Sequence, residues 1–271
     1  IKHWSYSSLI AFLRNPLAWH KRYVEHVYDL PSTPAAAVGR AGHKALEHYY
    51  RDRVPKEQAT QMGLAYLRTV PDFELDFGKA ESARARKAKR AAMEREYLQA
   101  IGFYLRRAPR HAVVGVEVSA KAAVPGVSLP VKAVSDLVVE SRTNPGALDI
   151  VDHKFVDSFT APNTDKPLFV LQALFNYYTV REEYGVPVAR FILQECKKRR
   201  NRSGGSQMRR HIIRFDECAD DFTLFQRLLK DATEEISRRK RWLPNPSDMF
   251  EGKNSFEIYR MGLAEGEESD A

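Results

Sequence analysis

The spacing of hydrophobic positions along the chain changes character near residue 110. Before it, apolar residues recur every three or four positions, which indicates amphipathic helices, and the Asn15-Pro16 step ends the first of them. After it, apolar residues gather in short β-branched runs, which predict strands. The five predicted strands cover residues 111–120, 129–140, 147–155, 188–196 and 207–215.

Two further helices complete the predicted order. Residues 166–184 form an amphipathic helix that ends at Gly185, residues 216–242 form a charged one, and Pro244 opens a tail that we expect to be irregular. Helices, three strands, a helix and two strands predict an α/β fold around one core. We divide this single domain into N-terminal helices (1–55), an inserted basic helical segment (56–108), an α/β core (109–215) and a C-terminal helix and tail (216–271).

Composition and charge restrict the classes of protein to which the chain belongs. It has 271 residues, with 43 Lys and Arg against 35 Asp and Glu, and a net charge of +8. This excess favours a polyanionic partner, although a basic soluble protein without such a partner shows the same balance. Two cysteines are too few for a disulfide framework and fit a reducing cytoplasm. Because no apolar run reaches about 18 residues, we expect no membrane span.

Charged residues interrupt two of the predicted strands. In the third strand Asp152 and Lys154 share a face with Ile150, and in the second Asp136 lies inside an apolar run. Burial of such charges is costly unless they pair or bind a metal. Carboxylates on neighbouring strands suit a hard divalent cation, and a nearby lysine can stabilise charge that develops on a phosphate. The alternative is a buried ion-pair network without chemistry.

Other polar side chains have two interpretations each. His43 and Glu47 are four residues apart and share a helix face, although a lone histidine is more often a core or surface residue than a ligand. Two basic clusters lie either on a solvated surface or along a phosphate backbone. Their members are Arg84, Arg86, Lys87, Lys89 and Arg90 in the first cluster and Lys197, Lys198, Arg199, Arg200 and Arg202 in the second.

Three segments carry the residues on which a family resemblance depends. Residues 39–47 match a helical G-x-x-x-H-x-x-x-E pattern. Residues 132–136 match a strand that ends in G-x-x-D, with Ala133 in place of the glycine. Residues 150–154 read I-V-D-H-K, close to a strand that supplies the acid and the lysine of a D-x-K motif.

Two more segments extend the resemblance over most of the chain. Residues 172–177 resemble a helix that begins with glutamine and carries a tyrosine, here Tyr177, which comes one place late. Residues 7–19 resemble the family's N-terminal helical signature. In this order the segments resemble the PD-(D/E)xK nuclease superfamily. They are most similar to its RecB-like exonuclease branch, which includes the CRISPR-associated RecB-like nucleases and the mitochondrial genome maintenance exonuclease.

The resemblance implies a restriction-endonuclease-like fold, in which helices flank a mixed central sheet. It also implies a metal-dependent DNA nuclease, an exonuclease on single-stranded DNA or DNA with free ends, with Mg²⁺ or Mn²⁺ as cofactor. Besides DNA, a helicase or recombination protein is an expected partner, in repair or recombination. The alternative is a catalytically silent DNA-binding clamp that serves a helicase or recombinase.

The same resemblance implies roles for individual residues. The implied metal ligands are His43, Asp136, Asp152 and the backbone carbonyl of His153. The implied catalytic residues are Asp136, Asp152, Lys154 and Gln172, the last of which would position the lysine or the scissile strand. The implied accessory residues are Glu47, Glu117 and Tyr177, the two glutamates to hold water or a second ion. Asp149 and Asp157 are expected outside the site, because Asp149 faces the opposite side of its strand and Asp157 lies beyond it.

One departure from the family pattern concerns a second cofactor. Many relatives carry a cysteine just before the early proline and three more near the C-terminus, which together hold an iron–sulfur cluster. Here Asn15 takes the first position and residues 244–253 lack cysteine, so no iron–sulfur cluster is expected. Instead we expect Trp242, Phe250 and Phe256 to pack the tail against the N-terminal helices.

Overall fold

A five-stranded sheet forms the centre of the computed structural model, which describes residues 1–27, 31–80, 82–161, 166–202 and 204–269. The strands are β1 (Val113–Ala122), β2 (Val131–Glu140), β3 (Leu148–Val156), β4 (Val188–Lys197) and β5 (Met208–Arg214). They lie side by side in the order β1-β2-β3-β4-β5. Only β3 and β4 run parallel, and the other neighbouring strands of this sheet are antiparallel. The predicted mixed sheet is confirmed.

Helices cover both faces of the sheet. They are α1 (Tyr6–Arg14), α2 (Pro16–Tyr23), α3 (Pro34–Arg51), α4 (Lys56–Thr69), α5 (Ala83–Arg106), α6 (Lys166–Tyr184), α7 (Ala219–Arg238) and α8 (Gly252–Ser269). Short 3₁₀ turns cover Asp72–Glu74 and Phe215–Glu217. α6 makes the crossover that a parallel strand pair requires, and it ends where Gly185 adopts a positive φ of 66°. In the part of the chain that the structure describes, no helix combines the length and the apolar character needed to span a membrane.

The sheet separates two hydrophobic cores. In β3, Ile150 enters the core shared with α1, α6 and α7, whereas the next residue, Val151, enters the core shared with α3, α4 and α5. Phe191 and Ile192 of β4 repeat this division. Because successive side chains of a strand point to opposite faces, a strand with both faces covered reads as a continuous apolar run. A charge within such a run, as at Asp152, therefore lies in the interior.

The inserted segment, predicted as a basic helical region, packs its apolar side against α3 and the sheet. Tyr97 and Ile101 of α5 are buried there, and the Tyr97 hydroxyl donates a hydrogen bond to the Thr60 carbonyl of α4 (2.8 Å). Gly63 of α4 leaves room for this hydroxyl, since a Cβ would fall 2.1 Å from the Tyr97 oxygen and also 2.6 Å from the Ala41 carbonyl oxygen of α3. The first turns of α5, which carry most of the basic residues, remain exposed.

The C-terminal tail differs from the prediction. Residues 216–242 were expected to form one helix followed by an irregular tail, whereas α7 ends at Arg238 and the tail contains α8. The tail docks through a buried hydrogen bond, in which Asn15 Nδ2 donates to Ser255 Oγ (2.9 Å). Trp242 packs against Trp19 as expected, with ring centroids 5.3 Å apart. The expected packing of Phe256 is wrong, since this side chain is 46% exposed.

Phe250 makes a different contact from the one expected. Its ring is 60% exposed, and the guanidinium of Arg14 lies over it at 4.7 Å from the centroid. Arg22 and Glu251 form an ion pair of 2.9 Å beside it. Polar contacts therefore fix the tail to α1 and α2, together with the indole of Trp242.

Candidate active site

The alternation of side chains along β1 and β2 breaks at two adjacent positions. In β2, Val131 and Val138 enter the same core although they are an odd number of residues apart. In β1, Val116 and Val118 pack against different cores although they are two residues apart. The residue between them, Glu117, has a φ of +50°, a conformation that is strained for a side chain with a Cβ. The break in β2 falls next to Asp136. In each strand an acidic residue, Glu117 or Asp136, therefore lies where the regular alternation of side chains is interrupted.

A histidine from α3 joins these two acids. One ligand atom each from His43, Glu117 and Asp136 lies within 4.8 Å of the others. His43 Nδ1 is 3.3 Å from Asp136 Oδ2. α3 approaches β3 closely at this point because of Gly42, where a Cβ would fall 2.2 Å from the ring of Phe155. The glycine thus sets the depth at which the imidazole meets the carboxylates.

The charges of His43 and Asp136 stabilise each other. Burial opposes both charged forms, but the Asp136 carboxylate and its hydrogen bond raise the pKa of His43 overall. In turn the imidazole, together with the backbone N–H of His153 that donates to Asp136 Oδ2 (2.7 Å), holds the pKa of Asp136 well below its usual range. Asp136 is therefore ionised and available to a cation.

Glu117 is the carboxyl whose charge is least stabilised in this group. Burial and the negative charge of Asp136 raise the pKa of Glu117 to about 7. Its neighbour Glu47 already has cationic partners, since its carboxylate pairs with Lys44 Nζ (2.7 Å) and with Arg51. Arg51 also donates to the Val116 carbonyl, next to Glu117. The charge of Glu117 would thus stabilise a bound cation most, because Lys44 and Arg51 on the same helix already neutralise Glu47.

Asp152, Lys154 and Gln172 form a second polar group beside the first. Lys154 Nζ lies 2.9 Å from Asp152 Oδ2, and Gln172 Nε2 donates to Asp152 Oδ1 (2.7 Å). Burial raises the pKa of Asp152. Burial also opposes the charge on Lys154, but the carboxylates of Asp152 and Asp136 raise the pKa of the amine overall. The lysine is therefore a cation with a half-exposed side chain next to a carboxylate that α6 holds in place.

A chain of buried hydrogen bonds supports Asp136 from behind. The imidazole of His153 lies with Nδ1 3.6 Å from Asp136 Oδ2 and with Nε2 2.8 Å from the Tyr104 hydroxyl. Tyr104 OH is 3.0 Å from Tyr50 OH, which donates to the carbonyl of Pro109 (3.1 Å). The sequence pattern missed this chain, although a histidine and two tyrosines at buried positions were its signal. Asp136 itself is bonded to the backbone N–H of His153, and the two tyrosines hold the ring of this histidine in place behind the carboxylate.

Comparison with known proteins gives the family. The model of the PD-(D/E)XK nuclease superfamily matches residues 3–249. The chain belongs to this superfamily. A crystal structure of a candidate exonuclease from Eubacterium rectale matches with a TM-score of 0.53 and 15% sequence identity, over 88% of this chain and 79% of that one, and so shares the fold. The structure of SSO0001 matches with a TM-score of 0.34 and 11% identity, over 86% and 87% of the two chains. No curated protein sequence matches significantly.

The donor set of this PD-(D/E)XK protein fits the divalent metals that its superfamily uses. An imidazole nitrogen and two carboxylates within 4.8 Å of one another suit a small divalent cation. The group differs from the predicted ligand set in that Glu117, expected as an accessory, lies with His43 and Asp136. Asp152, expected as a ligand, lies beside this group and contacts Lys154 and Gln172.

The helix of the glutamine motif places its tyrosine away from the carboxylates, contrary to the accessory role expected for it. Tyr177 packs against Phe215 and Phe222, with centroids 4.7 and 4.8 Å away. The side chain of Asn176, one position earlier, faces the sheet and accepts a hydrogen bond from Ser135 (2.7 Å). The expectation for Tyr177 is wrong, because a shift of one residue on a helix turns the side chain by about 100°.

The two acids that were expected outside the site lie apart from it. Asp149 accepts from Arg190 through both oxygens, at 3.1 and 2.5 Å, on the α5 face of the sheet. Asp157 pairs with Lys198 Nζ (2.8 Å). Both carboxylates therefore already have a cationic partner.

Three members of the basic clusters already have acidic partners. Lys198 is only 4% exposed and pairs with Asp157, so the structure contradicts its expected contact with phosphate. Arg90 pairs with Asp72 (2.6 Å), and Arg199 with Glu96 (2.8 Å). The exposed members without an acidic partner among the described residues are Arg84, Arg86, Lys87, Lys89, Arg200 and Arg202. Lys197 lies over the ring of Phe159 at 5.4 Å.

Proposed function

We propose that the chain is a divalent-metal-dependent deoxyribonuclease that hydrolyses phosphodiester bonds. One observation carries the proposal: His43, Glu117 and Asp136 converge within 4.8 Å beside the ion pair of Asp152 and Lys154. The acid, the lysine and the metal-binding donors that such hydrolysis requires are thus adjacent. Membership of the PD-(D/E)XK superfamily supports the same reaction.

Each polar group has a proposed part in the reaction. A cation held by His43, Glu117 and Asp136 would supply Lewis-acid stabilisation of phosphate charge. Asp152 and the His153 carbonyl are proposed as further ligands, and Glu47 as a residue that orders water. Lys154, which is protonated, neutralises charge that develops on the phosphate or orients the attacking water.

Gln172 is proposed to act on Asp152 rather than on the substrate. Its amide and the amine of Lys154 both donate to Asp152 Oδ1, at 2.7 and 3.2 Å, and the amine also lies 2.9 Å from Oδ2, so the two partners together fix the rotamer of the carboxylate. Catalytic groups that are held in place before the substrate arrives need no reorganisation during the reaction. Gln172 is therefore a positioning residue in this proposal.

Substrate type and biological setting belong to the proposal as well. We propose an exonuclease that acts on single-stranded DNA or on free ends, as in the RecB-like branch, and the name of the Eubacterium rectale protein supports exonuclease action. A helicase or recombination partner and a role in repair stay predictions. Cys196 and Cys218 are both buried, which is compatible with the expected cytoplasm.

A cleavage time course tests the proposal. Single- and double-stranded oligonucleotides, linear and circular and labelled at one end, are incubated with Mg²⁺, with Mn²⁺ and with EDTA. We expect progressive shortening of linear DNA only when a divalent metal is present, and no shortening by Asp152→Asn. The control is Asp231→Asn, which removes the same charge from an exposed position on α7. Equal cleavage of circular and linear strands would contradict the exonuclease assignment.

A calorimetric metal titration separates the nuclease from the silent clamp. We expect Mn²⁺ to bind the purified protein and to bind Asp136→Asn more weakly. DNA binding without cleavage, together with no binding of divalent metal at millimolar concentration, would contradict the nuclease proposal and support the DNA-binding clamp.

A further inference from the structure

A second polar surface lies on the α5 face of the sheet, where α5 no longer covers it. α5 ends at Arg106, and residues 107–112 return the chain to β1. The uncovered part of the sheet forms the floor of a cavity of about 390 Å³, which includes Ile192. A neighbouring cavity of about 330 Å³ shares Arg107 and Met208 with it. We call the two cavities together the arginine groove.

The rim of the arginine groove is strongly basic. Seven exposed arginines line the groove, and none of them forms an ion pair with a carboxylate in the described part of the chain. They are Arg106, Arg107, Arg110, Arg142, Arg200, Arg209 and Arg210. Only two acids line the groove among the described residues, Glu140 and Asp149, and Asp149 is neutralised by Arg190. Several uncompensated guanidinium groups around a concave surface concentrate anions there.

Hydrogen bonds hold the backbone that carries several of these arginines. The loop that carries Arg107 and Arg110 is fixed at Pro109, whose carbonyl accepts from Tyr50 OH (3.1 Å), and Arg142 donates to the carbonyl of Arg110. His111 on the same loop has a buried Nε2 without a hydrogen-bond partner among the described residues. Guanidinium groups match phosphate oxygens with two parallel donors, and a fixed backbone lowers the entropic cost of binding.

We infer that the arginine groove binds successive phosphate groups of a polynucleotide strand, at a site separate from the metal-binding carboxylates. Asp149 at the groove and Asp152 at the candidate active site point to opposite faces of β3, roughly 10 Å apart along the strand. Two adjoining cavities suit a chain of phosphates, whereas a mononucleotide would fill one of them. The inference depends on the groove alone, and so it holds whether or not the chain hydrolyses DNA.

Anisotropy of a fluorescein-labelled dT20 strand tests the inference, with the full chain in EDTA so that hydrolysis plays no part. We expect Arg142→Gln/Arg210→Gln to weaken binding several-fold. Because each phosphate contact on a single strand contributes about 0.7 to the dependence of log K on log salt, the slope should become shallower by about 1.4. Both side chains are exposed, and unchanged melting temperatures would show that the variant is folded.

The control removes the same charge from the other side of the molecule. The double variant Lys230→Gln/Arg241→Gln changes two exposed residues, the first within α7 and the second just after it. α7 packs on the α6 side of the sheet. We expect its affinity and salt slope to equal those of the wild type. Equal losses in both double variants, or no change of slope in the groove variant, would overturn the inference.

A competition experiment distinguishes a strand from a small phosphate compound. We expect unlabelled dT20 to displace the labelled strand at a concentration close to its own Kd, and dTMP to displace it only at a much higher concentration. Displacement by dTMP as readily as by dT20 would overturn the assignment to a polynucleotide.

Discussion

Strand β3 carries two buried aspartates with opposite surroundings. Asp149 is 2% exposed, and both its oxygens accept hydrogen bonds from the guanidinium of Arg190. Asp152 is 6% exposed, and its partners are the amide of Gln172 and the amine of Lys154, whose side chain is 38% exposed. Burial raises the pKa of Asp152. The first carboxylate is satisfied within the fold, whereas the second is kept close to a cation that solvent can reach.

The difference separates a structural ion pair from the pair that we propose to be catalytic, here called the reactive pair. Arginine offers a planar fork that matches both oxygens of a carboxylate, which suits a fixed contact. Lysine offers a single flexible ammonium that can turn towards another anion. The pair of Asp152 and Lys154 also faces the group of His43, Glu117 and Asp136, whose combined charges set its protonation. Charge within β3 is therefore neutralised inside the fold at one end and, in the proposed function, serves chemistry at the other.

The largest expected effect concerns the structural pair. Arg190→Ala leaves Asp149 buried without its cation, and breaking a buried pair in this way typically costs about 3–5 kcal/mol. We expect urea denaturation to show a loss of this size. Arg190→Met/Asp149→Leu should regain much of the stability, because it removes the unpaired charge as well. A stable single variant would show that water reaches Asp149.

The reactive pair should respond in the opposite way. Lys154→Ala removes the cation that neutralises developing phosphate charge, so we expect the cleavage rate to fall by about 10²–10³-fold, the usual cost of one such donor. Its free energy of unfolding should fall by less than in Arg190→Ala, since burial already raises the pKa of Asp152, which can take up a proton while Gln172 still bonds to it. The control is Lys44→Ala on α3, with near-normal cleavage. A folded Lys154→Ala variant with full activity would contradict the role of the lysine.

A smaller effect is expected behind Asp136. Tyr104→Phe removes the hydroxyl between His153 and Tyr50, and unsatisfied buried partners cost about 1–3 kcal/mol. If the chain positions Asp136, cleavage should also slow, and Mn²⁺ should bind more weakly at unchanged pH. Tyr97→Phe on the same helix is the control, because its hydroxyl bonds to Thr60 instead. Loss of stability alone, with normal metal affinity, would make the chain a structural feature only.

Residue spacing predicted the parts of the fold and site that depend on local pattern. The strands followed from β-branched runs, and Asp152 and Lys154 from the period of two. Glu117 was predicted only as an accessory residue. No residue pattern shows that its backbone has a positive φ or that the alternation of side chains is interrupted beside it. α8 was missed because prolines precede it and because the bond from Asn15 to Ser255 joins distant parts of the chain.

Charge pattern alone was a weaker guide. Lys198 stands in a run of basic residues that looks exposed, yet it is buried against Asp157. The arginines of the arginine groove come from separate segments of the chain, around residues 106–110, 142, 200 and 210. Only tertiary structure brings them together, as it does for the two tyrosines behind His153.

The smallest expected effect concerns pH and distinguishes the metal-binding acids from Asp149. A metal ligand must lose its proton, and in the metal-free protein the pKa of Glu117 is raised to about 7, mainly by burial, while that of His43 is raised by Asp136. Below pH 7 both groups therefore hold protons that a cation has to displace. We expect Mn²⁺ affinity to rise with pH from 6 to 8, by up to about tenfold per pH unit for each proton displaced.

Calorimetry in buffers of different ionisation enthalpy counts these protons directly. Glu117→Gln should bind Mn²⁺ more weakly at pH 8 and should release fewer protons, because one titrating ligand is gone. Asp149→Asn should leave both the affinity and the proton count unchanged, since its carboxylate is bonded to Arg190 on the other face of the sheet. An affinity that does not vary between pH 6 and 8 would mean that neither Glu117 nor His43 binds the metal, and the candidate site would then have to be sought around Asp152 alone.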